Sequence, residues 1–365
     1  MSLLWMDYEN EFKNLVETAN RYEQQENPEY FASLSPKIHK IIYRDTKYNV
    51  DFLYTAYVLN DEKIMENYAV WLFQLMYSVL PGDKSLSETE DYVKRHLGYI
   101  RHAISDIIKD GKQEKLLHLL DVADNAVHHA ASVQKPSSAT VQAETDKFTG
   151  TDSPKKYETE IRQYMDSLFS KNMHQSLSLI RTFTENGIPV ANIYVDILAE
   201  SMRRVGELWH TAKISVDTEH YCTSVTQMAM AQLYPVLFSG ARKGKTLLCA
   251  CPGTELHEMG ARMVADIFEN DGWDSIFLGA AVPEDYILHS IRENQPDLIA
   301  LSVSMPPHLI TCQELVTNIR DEFPDIKIAV GGTAFRNTEQ IWKQWPIDYY
   351  TDDARELLTL ANQQA

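Results

Sequence analysis

Residues 251–260 read CPGTELHEMG and place a carboxylate, Glu255, two positions before a histidine, His257, with Gly260 three positions further on. A carboxylate so placed can accept from one ring nitrogen, fix the tautomer and raise the basicity of the other nitrogen. That is the arrangement found behind metal-bound histidines. Gly260 has no side chain, so a bulky group can come close to the helix that begins there. Alone, the histidine reads more simply as a loop residue beside a helix start. Two further groups of small residues, Ser302-Val303-Ser304 and Gly331-Gly332, favour the chemical reading. A second cluster consists of Trp209-His210 and, after nine residues counted from Trp209, Glu219-His220. In isolation these are a core tryptophan and solvated polar residues.

The elements that must position these residues are legible in the hydrophobic pattern. From residue 245 onward, short apolar runs at 246–250, 275–278, 298–302, 326–330 and, more weakly, 347–350 alternate with helical periods. Continuous apolar runs suit buried parallel strands, and the alternation predicts a doubly wound five-stranded sheet. Ligands in such sheets sit at the carboxyl ends of the strands. Glu255, His257, Ser302, Ser304, Gly331 and Gly332 all fall at that edge. Residues 155–240 carry four helical periods, at 157–171, 173–185, 189–210 and 216–238, with Asn186-Gly187 closing the second and Pro189 in the first turn of the third. Helices of this length with short connections predict a four-helix bundle.

Residues 132–154 are rich in Ser, Thr and Pro without apolar periodicity, and read as a linker. Residues 1–131 read as an all-helical domain of about six helices, given the usual helix length. Its apolar spacing runs through Phe12, Leu15, Val16 and Ala19, through Ile38, Ile41 and Ile42, through Val70, Phe73, Leu75 and Met76, and through Leu116, Leu119, Leu120, Ala123 and Val127. Pro81-Gly82-Asp83 is a turn, and Ser87 with Glu90 has capping-box spacing.

Composition narrows the function. Of 365 residues, 44% are hydrophobic and 24% charged, and the net charge is −18. A field of that sign repels phosphate backbones and anionic lipid. Residues 1–134 hold 14 basic and 21 acidic side chains, a net of −7, so direct DNA binding is not expected there. The most apolar stretch, 64–80, contains Glu66, Asn67 and Gln74 and is shorter than the roughly 20 residues of a membrane span. No signal-peptide pattern opens the chain. The four cysteines, Cys222, Cys249, Cys251 and Cys312, show no zinc spacing, and a reducing, cytoplasmic setting is expected.

Taken together, Glu255-x-His257-x-x-Gly260, Ser302-x-Ser304 and Gly331-Gly332 resemble the signature of cobalamin-binding domains. Glu255 stands where that pattern has Asp, and Ser304 where it has Leu. The resemblance implies a flavodoxin-like, Rossmann-like domain over 241–365, with His257 displacing the benzimidazole and ligating cobalt from below. The nucleotide tail would then pass Ser302, Ser304, Gly331 and Gly332. Trp209, Glu219 and His220 resemble the pattern of the adenosylcobalamin photoreceptors that repress carotenoid genes. That resemblance implies a bundle cap over 155–240, with Trp209, Glu219 and His220 around the adenosyl group and His210 as the upper cobalt ligand after light. Photolysis of the cobalt–carbon bond, adenosyl release and bis-histidine ligation would drive a conformational or oligomeric change.

Those repressors carry a basic helix-turn-helix domain in place of residues 1–131. Here that region is acidic and rich in aromatics and histidines: Tyr54, Tyr57, Trp71, Phe73, Tyr77, His96, Tyr99 and His102. It is read either as a dimerisation domain with an aromatic core or as a pocket for a flat chromophore, a non-covalent bilin such as biliverdin or a haem. The domain holds no cysteine, which excludes a thioether-linked bilin. The leading expectation is a light sensor rather than an enzyme, homo-oligomeric and signalling to an unidentified protein. The alternatives are a corrinoid methyl carrier serving a methyltransferase, which needs an open upper face, and a mutase subunit, for which no substrate barrel is present.

Overall fold

The computed structural model describes residues 8–80, 82, 84–133, 156–238 and 241–363. Most of the expected linker, 134–154, lies outside the described residues, as do Pro81 and Asp83 of the expected turn. The described chain divides into two units.

The first unit gathers six helices with residues 303–314 and 333–345. The helices are α1 (Glu9–Glu26), α2 (Pro28–Ser33), α3 (Pro36–Leu59), α4 (Glu62–Val79), α5 (Leu86–Ile107) and α6 (Lys112–Val133). Ser132 and Val133 therefore end α6 rather than begin a linker. Phe12, Leu15, Val16 and Ala19 of α1 and Leu116, Leu119, Leu120, Ala123 and Val127 of α6 are buried as their spacing requires. The expectation for α3 is corrected: Ile38 is 38% exposed, and the buried stretch lies later, around Val50, Leu53 and Tyr54. In α4 the buried face runs through Ile64, Met65, Tyr68, Ala69, Leu72 and Phe73, so only Phe73 of the four expected positions is buried. The capping box is also corrected. Ser85 accepts from the Glu88 backbone at 3.1 Å, and Glu88 accepts from the Ser85 backbone at 2.8 Å, two residues before the expected pair. Within this unit Asp61 caps α4 with one oxygen, accepting from Lys63 N at 3.0 Å. Its other oxygen accepts from Glu339 N at 2.8 Å.

The second unit holds a bundle and a sheet. The bundle helices are α7 (Glu158–Phe169), α8 (Met173–Glu185), a third helix and α10 (Val216–Met230). The third helix, α9, changes its winding. It is α-helical at Val190–Asn192, π-helical at Ile193–Ala199 and α-helical again at Glu200–His210. Pro189 precedes it as the N-cap rather than standing in its first turn. Asn172 caps α8, and Gly187, at φ +78°, closes it with Ile188 N donating to Phe183 O. Arg204 is only 3% exposed, and its charge is met by Glu158 and Glu200.

The sheet contains β1 (Thr246–Pro252), β2 (Asp274–Val282), β3 (Leu298–Ser302), β4 (Lys327–Gly331) and β5 (Tyr349–Tyr350). The strands are parallel in the order β2-β1-β3-β4-β5, the flavodoxin-like arrangement, with its switch point between β1 and β3. Register brings small residues into rows. Cys249 pairs with Ala300, Ala300 with Ala329, and Ser302 with Gly331. Because alternate residues share a face, these rows form one trough of small side chains. The short helix α11 (Tyr234–Leu237) precedes the sheet, and helix α12 (Met259–Asn270) follows β1.

Candidate functional site

The loop between β1 and α12 is held from both sides. Strand β2 bulges against β1 after Cys249 and after Ala250, with Gly279 at φ +88° and Ala281 at φ +53°. The bulge lets Ala281 N donate to Glu255 O at 2.8 Å and Gly253 N donate to Val282 O at 3.0 Å. Glu255 is fully buried. Its Oε1 accepts from the backbone N of His257 at 2.9 Å and from His257 Nδ1 at 2.6 Å. The proton therefore sits on Nδ1, leaving Nε2 as the free electron pair of the ring. The His257 side chain is 61% exposed, so Nε2 can meet a ligand. The Glu255 hydrogen bond raises the His257 pKa above its ordinary value, burial works against it, and the charges of Glu255 and Glu219 add to the rise.

Glu219 thus makes itself felt at His257 from the bundle. Its Oε1 accepts from Thr223 Oγ1 at 2.8 Å and its Oε2 meets His220 Nδ1. The His220 side chain is 74% exposed. Trp209 and His210 end α9, both half-buried. Cys251 lies behind the histidine loop, its Sγ 3.7 Å from His257 O, and burial pushes its thiol up to about 12. Protonated at neutral pH, it does not compete with His257 as a ligand. Among the described residues no three His, Cys, Asp or Glu side chains form a metal cage. A single imidazole suits a metal that brings its other ligands with it.

Beside this loop the trough opens into a cavity of about 170 Å³. The strands contribute Cys249, Ala300, Ser302, Ala329 and Gly331; Gly332, Gly260 and Ala261 complete this wall. An apolar cavity of roughly 150 Å³ accommodates benzene, so a space of this size and lining takes a flat aromatic ring, the kind of group that ends a nucleotide tail. A Cβ on Gly260 would enter open space, whereas one on Gly331 would meet Thr351 O at 2.6 Å. Ser304 is not in this wall. It lies beyond β3, and its carbonyl accepts from Thr333 Oγ1 at 3.1 Å.

Other cavity residues carried no signal in the sequence. Val195 and Ala199 enter the wall from the π segment, Thr351, Asp352 and Asp353 from the loop after β5, and Ala354 from the start of the helix that follows. A π turn does not follow a 3.6-residue period, and the β5 loop lies outside the motifs.

Several aromatic residues of the helical unit pack on one another. Tyr54 is fully buried against Tyr8, Phe12 and Tyr57, and Phe73 is fully buried. Phe52 stacks on Tyr68 at 3.9 Å, and Tyr68 on Trp71. His96, Tyr99 and His102 do share a face, as their spacing requires, and it packs on α1. His96 faces Glu23, Tyr99 bonds Glu26 and the His102 ring meets Tyr22. This packing supports the reading as an aromatic core.

The bundle, the parallel sheet and the histidine loop between them define a cobalamin-binding module. The B12 binding domain family matches residues 245–358, and a second B12 binding domain family matches residues 161–234. The HTH-type transcriptional repressor CarH of Myxococcus xanthus is 25% identical over 165 residues, 45% of this chain and 54% of that protein. Methionine synthase of Mycobacterium leprae (strain TN) is 24% identical over 155 residues, 40% of this chain and 13% of that protein. The chain thus spans about half or less of the length of these relatives. The monomethylamine corrinoid protein of Methanosarcina barkeri shares the fold, with a TM-score of 0.51 and 18% identity, over 57% of this chain and 100% of that one. Among the described residues no helix is long and apolar enough to cross a membrane.

Proposed function

We propose that the protein is a light sensor that holds adenosylcobalamin between the bundle and the sheet, with His257 as the lower cobalt ligand. The observation that carries this reading is the Trp209, Glu219 and His220 pattern on the bundle, with Glu219 held by Thr223 Oγ1 and His220 Nδ1. Adenosylcobalamin supplies a cobalt–carbon bond that light can break. The protein's own residues do the rest. Glu255 holds the His257 tautomer, Gly260 leaves room at the start of α12, and Ser302, Gly331 and Gly332 keep the tail cavity open. Trp209, Glu219 and His220 would surround the adenosyl group, and His210 would offer a second imidazole after light. The similarity to a repressor supports a signalling role. The acidic helical unit favours a protein partner and self-association over direct DNA contact, and no catalytic step is assigned to any residue. A reducing cytoplasm suits the four buried cysteines, none of which is in a disulfide.

A His210→Ala variant, loaded in the dark and illuminated, is expected to lose the adenosyl group yet fail to form the stable light product of the unmodified protein. A lit spectrum identical to that of the unmodified protein would remove His210 from the account. Cofactor that cycles methyl groups to a methyltransferase without any light response would favour the methyl-carrier alternative.

A further inference from the structure

The π-helical segment Ile193–Ala199 is the bundle's contribution to the tail cavity, through Val195 and Ala199. Single π turns inside α-helices are rare and concentrate at functional sites. Two side-chain ties hold this one. Tyr194 is fully buried and donates its hydroxyl to Asp266 Oδ2 at 2.7 Å. Asp266 lies on α12, the helix that carries Gly260 and Ala261 of the cavity wall. On the other flank, Arg355 Nη1 donates to both oxygens of Asp196 at 2.9 Å, while its Nη2 donates to Asp353 Oδ2 at 2.7 Å. Asp353 belongs to the wall after β5. The segment is therefore fastened to two walls of the cavity it covers. Neither Tyr194 nor Asp196 lines the cavity, so each acts through Val195 and Ala199. Charge-assisted and buried hydrogen bonds of this kind fix geometry as well as adding energy.

We propose that Tyr194 and Asp196 are positioning residues for the part of the ligand that enters the cavity, and that they set a preference for corrinoids bearing a nucleotide tail over those lacking one. This inference rests on the cobalamin reading above. Asp196→Ala leaves the Arg355–Asp353 pair intact, and Tyr194→Phe removes one hydroxyl while keeping the ring, so each variant deletes a single tie.

The test is an equilibrium titration of the full chain with hydroxocobalamin and, separately, with cobinamide, which has the same corrin and cobalt without the nucleotide. The unmodified protein is expected to prefer hydroxocobalamin. Each variant is expected to lose about tenfold in hydroxocobalamin affinity while its cobinamide affinity stays within about twofold of the unmodified value. Retained cobinamide binding also shows that the variant is folded. An equal loss for both corrinoids, or no loss for either, would overturn the inference and leave the cobalamin reading standing. Failure of the unmodified protein to bind either corrinoid would remove both.

Discussion

Replacing Glu255 by glutamine separates the chemical role of this residue from its packing role. Glu255 is fully buried, and a single oxygen accepts both the backbone N–H and the ring N–H of His257. Glutamine keeps the shape and a carbonyl acceptor but loses the charge. A hydrogen bond to a charged group contributes roughly 1.5–3 kcal/mol and one between neutral groups about 0.5–1.5 kcal/mol, so the ring bond weakens by about 1–1.5 kcal/mol. The electron density pushed to Nε2 falls with it, and outer partners of metal-bound histidines typically control about 10–100-fold in affinity. An approximately tenfold rise in the dissociation constant for hydroxocobalamin is expected, read by absorption titration. The apo protein should be no less stable, because a neutral amide is less costly to bury than a carboxylate. An unchanged dissociation constant together with a lower melting temperature would refute the reasoning and make Glu255 a purely structural residue.

Removing the ligand itself, in His257→Ala, should weaken cobalamin retention and shift the cobalt spectrum; identical affinity and spectrum would disprove the assignment. Gly331→Ala places a Cβ 2.6 Å from the Thr351 carbonyl. Rigid backbone there should cost about 1–3 kcal/mol, visible as a lower denaturation midpoint, and a midpoint equal to that of the unmodified protein would show that the loop after β5 yields freely. Acid should also destabilise the second unit. Arg204 holds the Glu158 carboxyl below its ordinary value, Arg355 does the same for Asp353, and at Asp348 the bonds from Lys327, Ile328 N and Arg320 outweigh the upward push of burial. Depressed carboxyl pKa values stabilise above the unfolded range near pH 4 and are lost as pH falls through the folded values. Denaturation midpoints should therefore fall steadily below about pH 4, and a flat profile there would contradict these pairings.

The doubly wound sheet was legible chiefly because β1 and β3 are uninterrupted apolar runs, the mark that parallel strands buried on both faces leave. The trough was legible at Ser302, Gly331 and Gly332, where small residues end strands. Cys249, Ala300 and Ala329 became site residues only once register set them side by side. The cap helices showed their period, but the π turn at Ile193–Ala199 did not, because its identity lies in backbone hydrogen bonding rather than residue type. Tyr194–Asp266 and Asp196–Arg355 are separated by 72 and 159 residues, and no local pattern announces such pairs. The α4 face drifted from expectation because nearly every residue from Ala69 to Met76 is apolar and offers no contrast. The capping box slipped by two residues because three candidate positions, Ser85, Ser87 and Thr89, alternate within five residues.

The most direct test of the sensor account is the visible absorption spectrum of the protein reconstituted with adenosylcobalamin, recorded in the dark and after green light. A light sensor should show a light-induced shift that persists and stays with the protein through gel filtration. Recovery of free or loosely held hydroxocobalamin after illumination would contradict it.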